Sequence, residues 1–270
     1  MSKLSFSIIT PTFNTPESIL ARTWASLKAQ TNDNWEWLIW DDSTNDSVWR
    51  QIYGFASDER YRINMHRLHV HSGFIGRLKR QLGMISNGDI IVELDHDDEL
   101  TPNCLEELEL AFADPEVGFV YSDWCEILPN GDSGVYPDGW AFGYGDKYWS
   151  DEYGVWVMKA PELNSTTLSH IVSAPNHVRA WRADVYRFLN GHNPHLPVAD
   201  DYELILRTFL ATKCLHIPQL LYKQYIGPST AQRTRNDLIQ TLVPQIFESF
   251  QKLILDRCEQ LELPQNDHNV

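Results

Sequence analysis

Through its first 130 residues the chain alternates short β-branched or aromatic runs with stretches of helical period, a pattern that calls for βαβ units and a mainly parallel sheet flanked by helices. Phe6 to Thr10 reads as a first strand stopped by Pro11, and Pro16 to Gln30 as a helix with Ile19, Leu20, Ala25 and Leu27 toward the core. Trp35 to Trp40 is a second strand, ending in Asp41-Asp42-Ser43. Residues 45 to 58 read as a helix, Tyr61 to Val70 as the region of another strand, and Phe74 to Ser86 as a basic helix. Asn87-Gly88 then breaks the chain ahead of Asp89-Ile90-Ile91-Val92-Glu93-Leu94, a β-branched run that delivers it to Asp95-His96-Asp97-Asp98. The acidic cluster thus falls at a strand's carboxyl end, where open α/β sheets place their ligands.

Beyond the cluster, Thr101-Pro102 has the form of an N-cap and first-turn proline, opening a helix to about Ala113, and Val117 to Ser122 is a strand. Residues 129 to 162 are rich in Gly, Trp, Tyr and Asp and show no period; we expect a functional loop, with aromatic packing as the competing explanation. Residues 175 to 190 and 200 to 212 read as helical, and Leu215 to Tyr222 as a returning strand. Arg235 to Leu261 carries Leu238, Leu242, Ile246, Phe250, Leu253 and Ile254 at helical spacing, with Pro244 predicting a kink or break. Such a stripe needs a cover, either the rest of the chain or a second copy in a homodimer. The last seven residues are polar and read as a frayed tail.

The 270-residue chain has 22 Lys plus Arg against 37 Asp plus Glu, a net charge of -15, which repels polyanions and argues against nucleic acid as a partner. Its four cysteines lie far apart without a C-x-x-C pair, so neither a zinc site nor a disulfide framework is expected, and a cytoplasmic location fits. The N-terminus lacks a signal peptide's apolar core, and no segment approaches the roughly 18 to 20 apolar residues of a membrane span.

Asp95-His96-Asp97-Asp98 sets several hard oxygen donors near one point, suited to Mg²⁺ or Mn²⁺ bridging to a diphosphate. A solvated acidic turn before a helix is the plain alternative. An EF-hand loop needs glycine where Leu100 stands, and a phosphatase with a nucleophilic first Asp needs Thr or Val where Glu99 stands.

Three blocks carry a resemblance: Ile9-Thr10-Pro11-Thr12-Phe13-Asn14, Trp37-Leu38-Ile39-Trp40-Asp41-Asp42-Ser43-Thr44, and Gly88-Asp89 through Asp98 followed by Leu100 and Pro102. In order and spacing the chain resembles a family 2 glycosyltransferase of GT-A fold across roughly residues 5 to 230. The resemblance implies a GT-A domain at 1-232, with a nucleotide-sugar half at 1-128 and an acceptor half at 129-232, then a C-terminal helical extension and tail at 233-270. It implies that Thr12, Phe13 and Asp42 line the nucleobase and ribose pocket, Asp42 accepting from a uracil-type N–H and adding little to the fold. Asp95 is expected at the ribose or a metal-bound water, and Asp97 as a direct ligand of Mn²⁺ or Mg²⁺. Arg80, in the segment Phe74 to Gln81, is the expected cation toward phosphate or base. Ala199-Asp200-Asp201-Tyr202-Glu203-Leu204-Ile205-Leu206-Arg207 is similar to the family's acidic pair opening a helix, which makes Asp201 the general base and leaves Asp200 to cap.

The implied activity is metal-dependent, inverting transfer of a sugar from a UDP or dTDP donor to a glycan, lipid-linked or other hydroxyl acceptor. One departure stands out: where many members carry a histidine ligand after the last strand, this chain has Lys223-Gln224-Tyr225-Ile226-Gly227-Pro228-Ser229. His177 and His216 are left unassigned, since a lone histidine is more often structural. A silent sugar-nucleotide-binding module and a metal-dependent nucleotidyltransferase are the rival readings; released nucleoside diphosphate against pyrophosphate separates the enzymes.

Overall fold

A computed structural model describes residues 3–59, 62–68, 71–171, 174–227 and 235–263. The expected boundary at 232/233, the tail 264–270 and Pro228-Ser229 lie outside the described residues.

The first half follows the alternation: β1 (Phe6–Thr12), α1 (Glu17–Lys28), β2 (Trp35–Asp41), α2 (Ser47–Glu59), β3 (Ile63–Arg67), α3 (Ile75–Ile85) and β4 (Ile90–Glu93). β1 pairs in parallel with β2 on one side and β4 on the other, and β2 with β3, so the order is β3-β2-β1-β4. Every residue of β1 and β4 is buried, because helices cover both faces of a parallel sheet. Trp24 of α1 stacks on Trp37 of β2, ring centroids 5.5 Å apart. Gly83 of α3 admits Tyr186: a Cβ there would lie 2.3 Å from the tyrosine ring.

The second half is built on the same sheet. β5 (Glu99–Leu100), α4 (Cys104–Ala111) and β6 (Val117–Ile127) follow, then β7 (Ser133–Gly134), β8 (Lys147–Ser150) and β9 (Val155–Met158), α5 (Ser165–His170), β10 (Arg179–Arg182), α6 (Ala183–Phe188), α7 (Asp200–Ala211) and β11 (Lys213–Tyr225). The expected helix at 175 to 190 is corrected: residues 179 to 182 form β10, which runs antiparallel between β4 and β6, and only 183 to 188 are helical. Ala180 and Trp181 are buried there, so the sheet's need for a strand between β4 and β6 overrides local propensity. The stretch from 129 to 162 contains a hairpin, with Val155, Val157 and Met158 buried and Trp149 and Trp156 exposed opposite each other. α4 begins at Cys104, later than Thr101-Pro102 suggested, because the Thr101 amide donates to Leu221 O of β11 instead of opening the helix.

α8 (Asn236–Gln260) is one helix with Pro244 inside it. It packs on α7 and α5, burying Ile254 and Cys258, with Ile246, Phe247 and Phe250 against the core. At about 1.5–3 kcal/mol per fully buried large apolar side chain, a chain ending at residue 235 should lose on the order of 5 kcal/mol. Urea unfolding checks this; a truncated protein as stable as the full chain would show the packing to be dispensable.

Candidate functional site

Both acidic segments reach the carboxyl edge of the sheet. The turn after β4 is fixed by α1: the Thr23 hydroxyl lies 3.0 Å from His96 O and 2.9 Å from Asp98 O, and the Arg22 guanidinium donates to Asp97 O. Asp98 is a structural peg: its carboxylate accepts from the Tyr222 hydroxyl at 2.8 Å and the Tyr225 amide at 2.7 Å. Burial, reinforced by Asp97 and Asp95, pushes it well above the usual carboxylate range.

Asp95 and Asp97 differ. Asp95 lies 3.3 Å from Lys79 Nζ and 3.5 Å from His177 Nε2. Burial alone would raise its pKa, but the Lys79 ammonium outweighs it and holds it down at about 2. Burial, and after it the Asp95 carboxylate, push Asp97 above the ordinary range, although His96 and Arg22 oppose them. Asp97 is therefore an anion short of countercharge, with a side chain one-third exposed. Among the described residues no three His, Cys, Asp or Glu side chains converge on a closed metal cage. Mg²⁺ commonly uses one or two carboxylates and takes its other ligands from water and phosphate, so Asp97 with Asp95 fits such an ion.

Beneath the turn lies a buried ionic network. Glu93 is fully buried; its carboxylate lies 2.6 Å from His192 Nε2, 3.5 Å from Lys79 Nζ and 3.8 Å from Arg179 Nη1. Burial would raise Glu93, but Lys79, His192 and Arg179 together hold it well below the usual range. Burial likewise lowers His177 to about 4, so it stands neutral against Asp95 and stacks on Tyr222.

The acidic pair opens α7. Asp201 Oδ2 accepts from Arg179 Nη1 at 2.7 Å, and Oδ1 from the Tyr202 amide at 2.8 Å. Asp200 does not cap the helix as expected: Ala199 stands at the N-cap and no side chain bonds there. Asp200 instead fills a niche over Gly76, where a Cβ would lie 2.7 Å from its carboxylate. Burial raises it to about 6, with His192 opposing.

At the ends of β1 and β2, Thr12, Phe13 and Asp42 come together. Thr12 is buried and its hydroxyl meets that of Thr15 at 2.6 Å, which in turn reaches His96 Nδ1 at 3.0 Å. Phe13 is exposed, its ring 4.4 Å from that of His71. Asp42 bears on the fold more than expected: its carboxylate accepts from the Ser72 amide at 2.8 Å and lies 2.8 Å from His71 Nδ1, fastening the loop before α3. Arg80 needs correction. Its guanidinium donates to Asn190 O and Oδ1 at 2.9 and 2.6 Å, and the cation beside Asp95 is its neighbour Lys79. On α3 the side chain of residue 79 points to the sheet, and that of residue 80 turns away to the loop after α6.

Sequence reasoning passed over Lys79, Glu93, Arg179 and His192. Glu93 left a signal, a lone charge inside the apolar run Ile90 to Leu94; the others became visible only with their partner.

A β3-β2-β1-β4 parallel half with acidic groups at its carboxyl edge, continued through an antiparallel strand into β6 and β11, is the GT-A arrangement of nucleotide-sugar transferases. Residues 7–160, more than half of the chain, match the model for glycosyl transferase family 2, and the chain belongs to that family. It is 24% identical over 234 residues to an uncharacterised protein of Sinorhizobium fredii and 30% identical over 118 residues to the O-antigen biosynthesis protein RfbC of Myxococcus xanthus. The aligned parts cover 83% and 43% of this chain but only 23% and 9% of those proteins. Similar solved folds include S. aureus TarS 1–349 in complex with UDP-GlcNAc, at TM-score 0.68 and 17% identity over 95% of this chain and 73% of that one. Another is the mannosyltransferase PcManGT of Pyrobaculum calidifontis with GDP-Man and Mn²⁺, at TM-score 0.65 and 14% identity over 94% and 70%. Among the described residues no helix is long and apolar enough to cross a membrane.

Proposed function

We propose that the chain is a metal-dependent, inverting glycosyltransferase that moves a sugar from a UDP or dTDP donor to an acceptor hydroxyl. The observation that carries this reading is the contrast at the β4 turn: Asp95 is held 3.3 Å from the Lys79 ammonium, while Asp97 has no cation closer than His96 at 4.0 Å among the described residues, at the sheet edge that Asp201 also reaches. Asp97 would hold Mn²⁺ or Mg²⁺, with Asp95 beside it; when bound, the ion neutralises charge on the departing diphosphate. Phe13 presents its face to the nucleobase, and Asp42 accepts from a base N–H at the Oδ1 lone pair that His71, Ser72 and Gly73 leave open. Asp201 takes the proton from the acceptor hydroxyl as it attacks the anomeric carbon. Attack from the face opposite the leaving diphosphate inverts that carbon.

The support from relatives is of one kind. TarS and PcManGT, whose folds this chain shares, are seen with UDP-GlcNAc and with GDP-Man and Mn²⁺.

Thermal shift with UDP, dTDP and GDP, each with Mn²⁺ and with EDTA, tests the donor and metal together. A nucleotide at about a hundred times its dissociation constant adds about 2.7 kcal/mol, or about 5 °C or more in a chain of this size. That gain should need Mn²⁺ and should vanish in Asp97→Ala. Equal shifts in EDTA would overturn the metal assignment.

A further inference from the structure

Arg179 is the first residue of β10, and because β10 runs antiparallel its start lies at the carboxyl end of β4 and opposite Tyr121, midway along β6. It is 2% exposed. Its Nε donates to Pro175 O at 3.0 Å, and its Nη1 donates to Asp201 Oδ2 at 2.7 Å and lies 3.8 Å from Glu93 Oε2. Asp201 is thereby held at both oxygens, by the strand through Arg179 and by its own helix through the Tyr202 amide. About two of the four lone-pair sites of a carboxylate remain, on a side chain 35% exposed.

We propose that Arg179 is a positioning residue for Asp201, holding its carboxylate ionised and aimed so that the free lone pairs face the acceptor. The proposal rests on the reading of Asp201 as the general base. A base must be unprotonated and within hydrogen-bond reach before the acceptor arrives, and a buried carboxyl left alone satisfies neither condition. The groups facing Asp201 are Arg179 of β10, Lys79 of α3 and Glu93 of β4, with Asp200 beside it on α7 and His192 4.0 Å from Asp200. Burial and Glu93 favour the protonated form; Arg179 first, and Lys79 after it, outweigh them and hold the carboxyl below its ordinary range. Geometry singles out Arg179, which alone of the cations among the described residues touches Asp201. Arginine is suited to the place because its fork reaches Pro175 O and Asp201 together, which a single ammonium does not.

The test is a ¹³C NMR titration of the aspartate carboxyls in wild type, R179Q and R179K, with Asp201→Asn assigning the resonance. In R179Q the Asp201 midpoint should rise by about 1 to 3 pH units, the effect of one close opposite charge. A folded R179Q with an unmoved midpoint overturns the proposal. R179K keeps the charge without the fork and serves if R179Q does not fold. Its midpoint should stay near that of wild type, while UDP release from UDP-GlcNAc with Mn²⁺ loses about tenfold or more in kcat with donor KM unchanged. Wild-type kcat in R179K overturns the positioning role. Failure of the underlying reading looks different: Asp201→Asn would then release UDP at the wild-type rate even though R179Q moves the midpoint.

Discussion

Asp201→Asn should lower sugar transfer by about 10² to 10⁴-fold, the usual worth of a general base, and leave the Mn²⁺-dependent nucleotide shift as in wild type. The substitution keeps the side chain's shape, and Asn Oδ1 can still accept from Arg179 or from the Tyr202 amide, so helix α7 stays in place. What is lost is the ability to take a proton. Asp200→Asn is the informative contrast. Asp200 has the stronger intrinsic basicity, raised to about 6, but it is packed over Gly76 with its side chain 11% exposed, out of an acceptor's reach. Its substitution should cost stability and little transfer. Transfer measured by released nucleoside diphosphate decides the matter: an active Asp201→Asn beside an inactive, folded Asp200→Asn would reverse the two assignments.

Glu93→Ala should destabilise the protein by about 3–5 kcal/mol, the cost of stripping one partner from a buried ion network. The residue is fully buried among Lys79, Arg179 and His192, and its removal takes away the carboxylate that Lys79 of α3 and Arg179 of β10 share, leaving Lys79 to Asp95 and Arg179 to Asp201. At about 2–4 °C per kcal/mol for a chain of this size, the melting temperature should fall by about 6 to 20 °C. Glu93→Gln keeps the shape but not the charge and should lie between. Denaturant unfolding gives the free energy, and a change within about 1 kcal/mol for Glu93→Ala would mean that water enters the network and relieves it.

The elements that position the site were legible where local pattern and tertiary demand agree. Ile90 to Leu94 had to be a strand because a β-branched run has few other low-energy choices, and a strand in such an alternation must end at the ligand-binding edge. Asp95, Asp97 and Asp201 were singled out by their place in blocks whose spacing is local. Arg80 was misplaced for want of a helix phase: one residue of rotation separates a side chain facing the sheet from one facing the loop at Asn190, and the segment's cations do not reveal which is which.

The alternating frame, the acidic turn after β4 and the acidic start of α7 follow from local pattern, since each depends on neighbours a few residues away. Packing across the fold makes Arg179 to Arg182 a strand, sets Lys79 beside Asp95, gives Asp98 to Tyr222 and Tyr225, and brings Arg179 to Asp201. These are pairings across 16 to 127 positions of chain. A charge's partner is set by which strands share an edge, and its ionisation by how deeply that edge is buried; neither is written in the residues beside it.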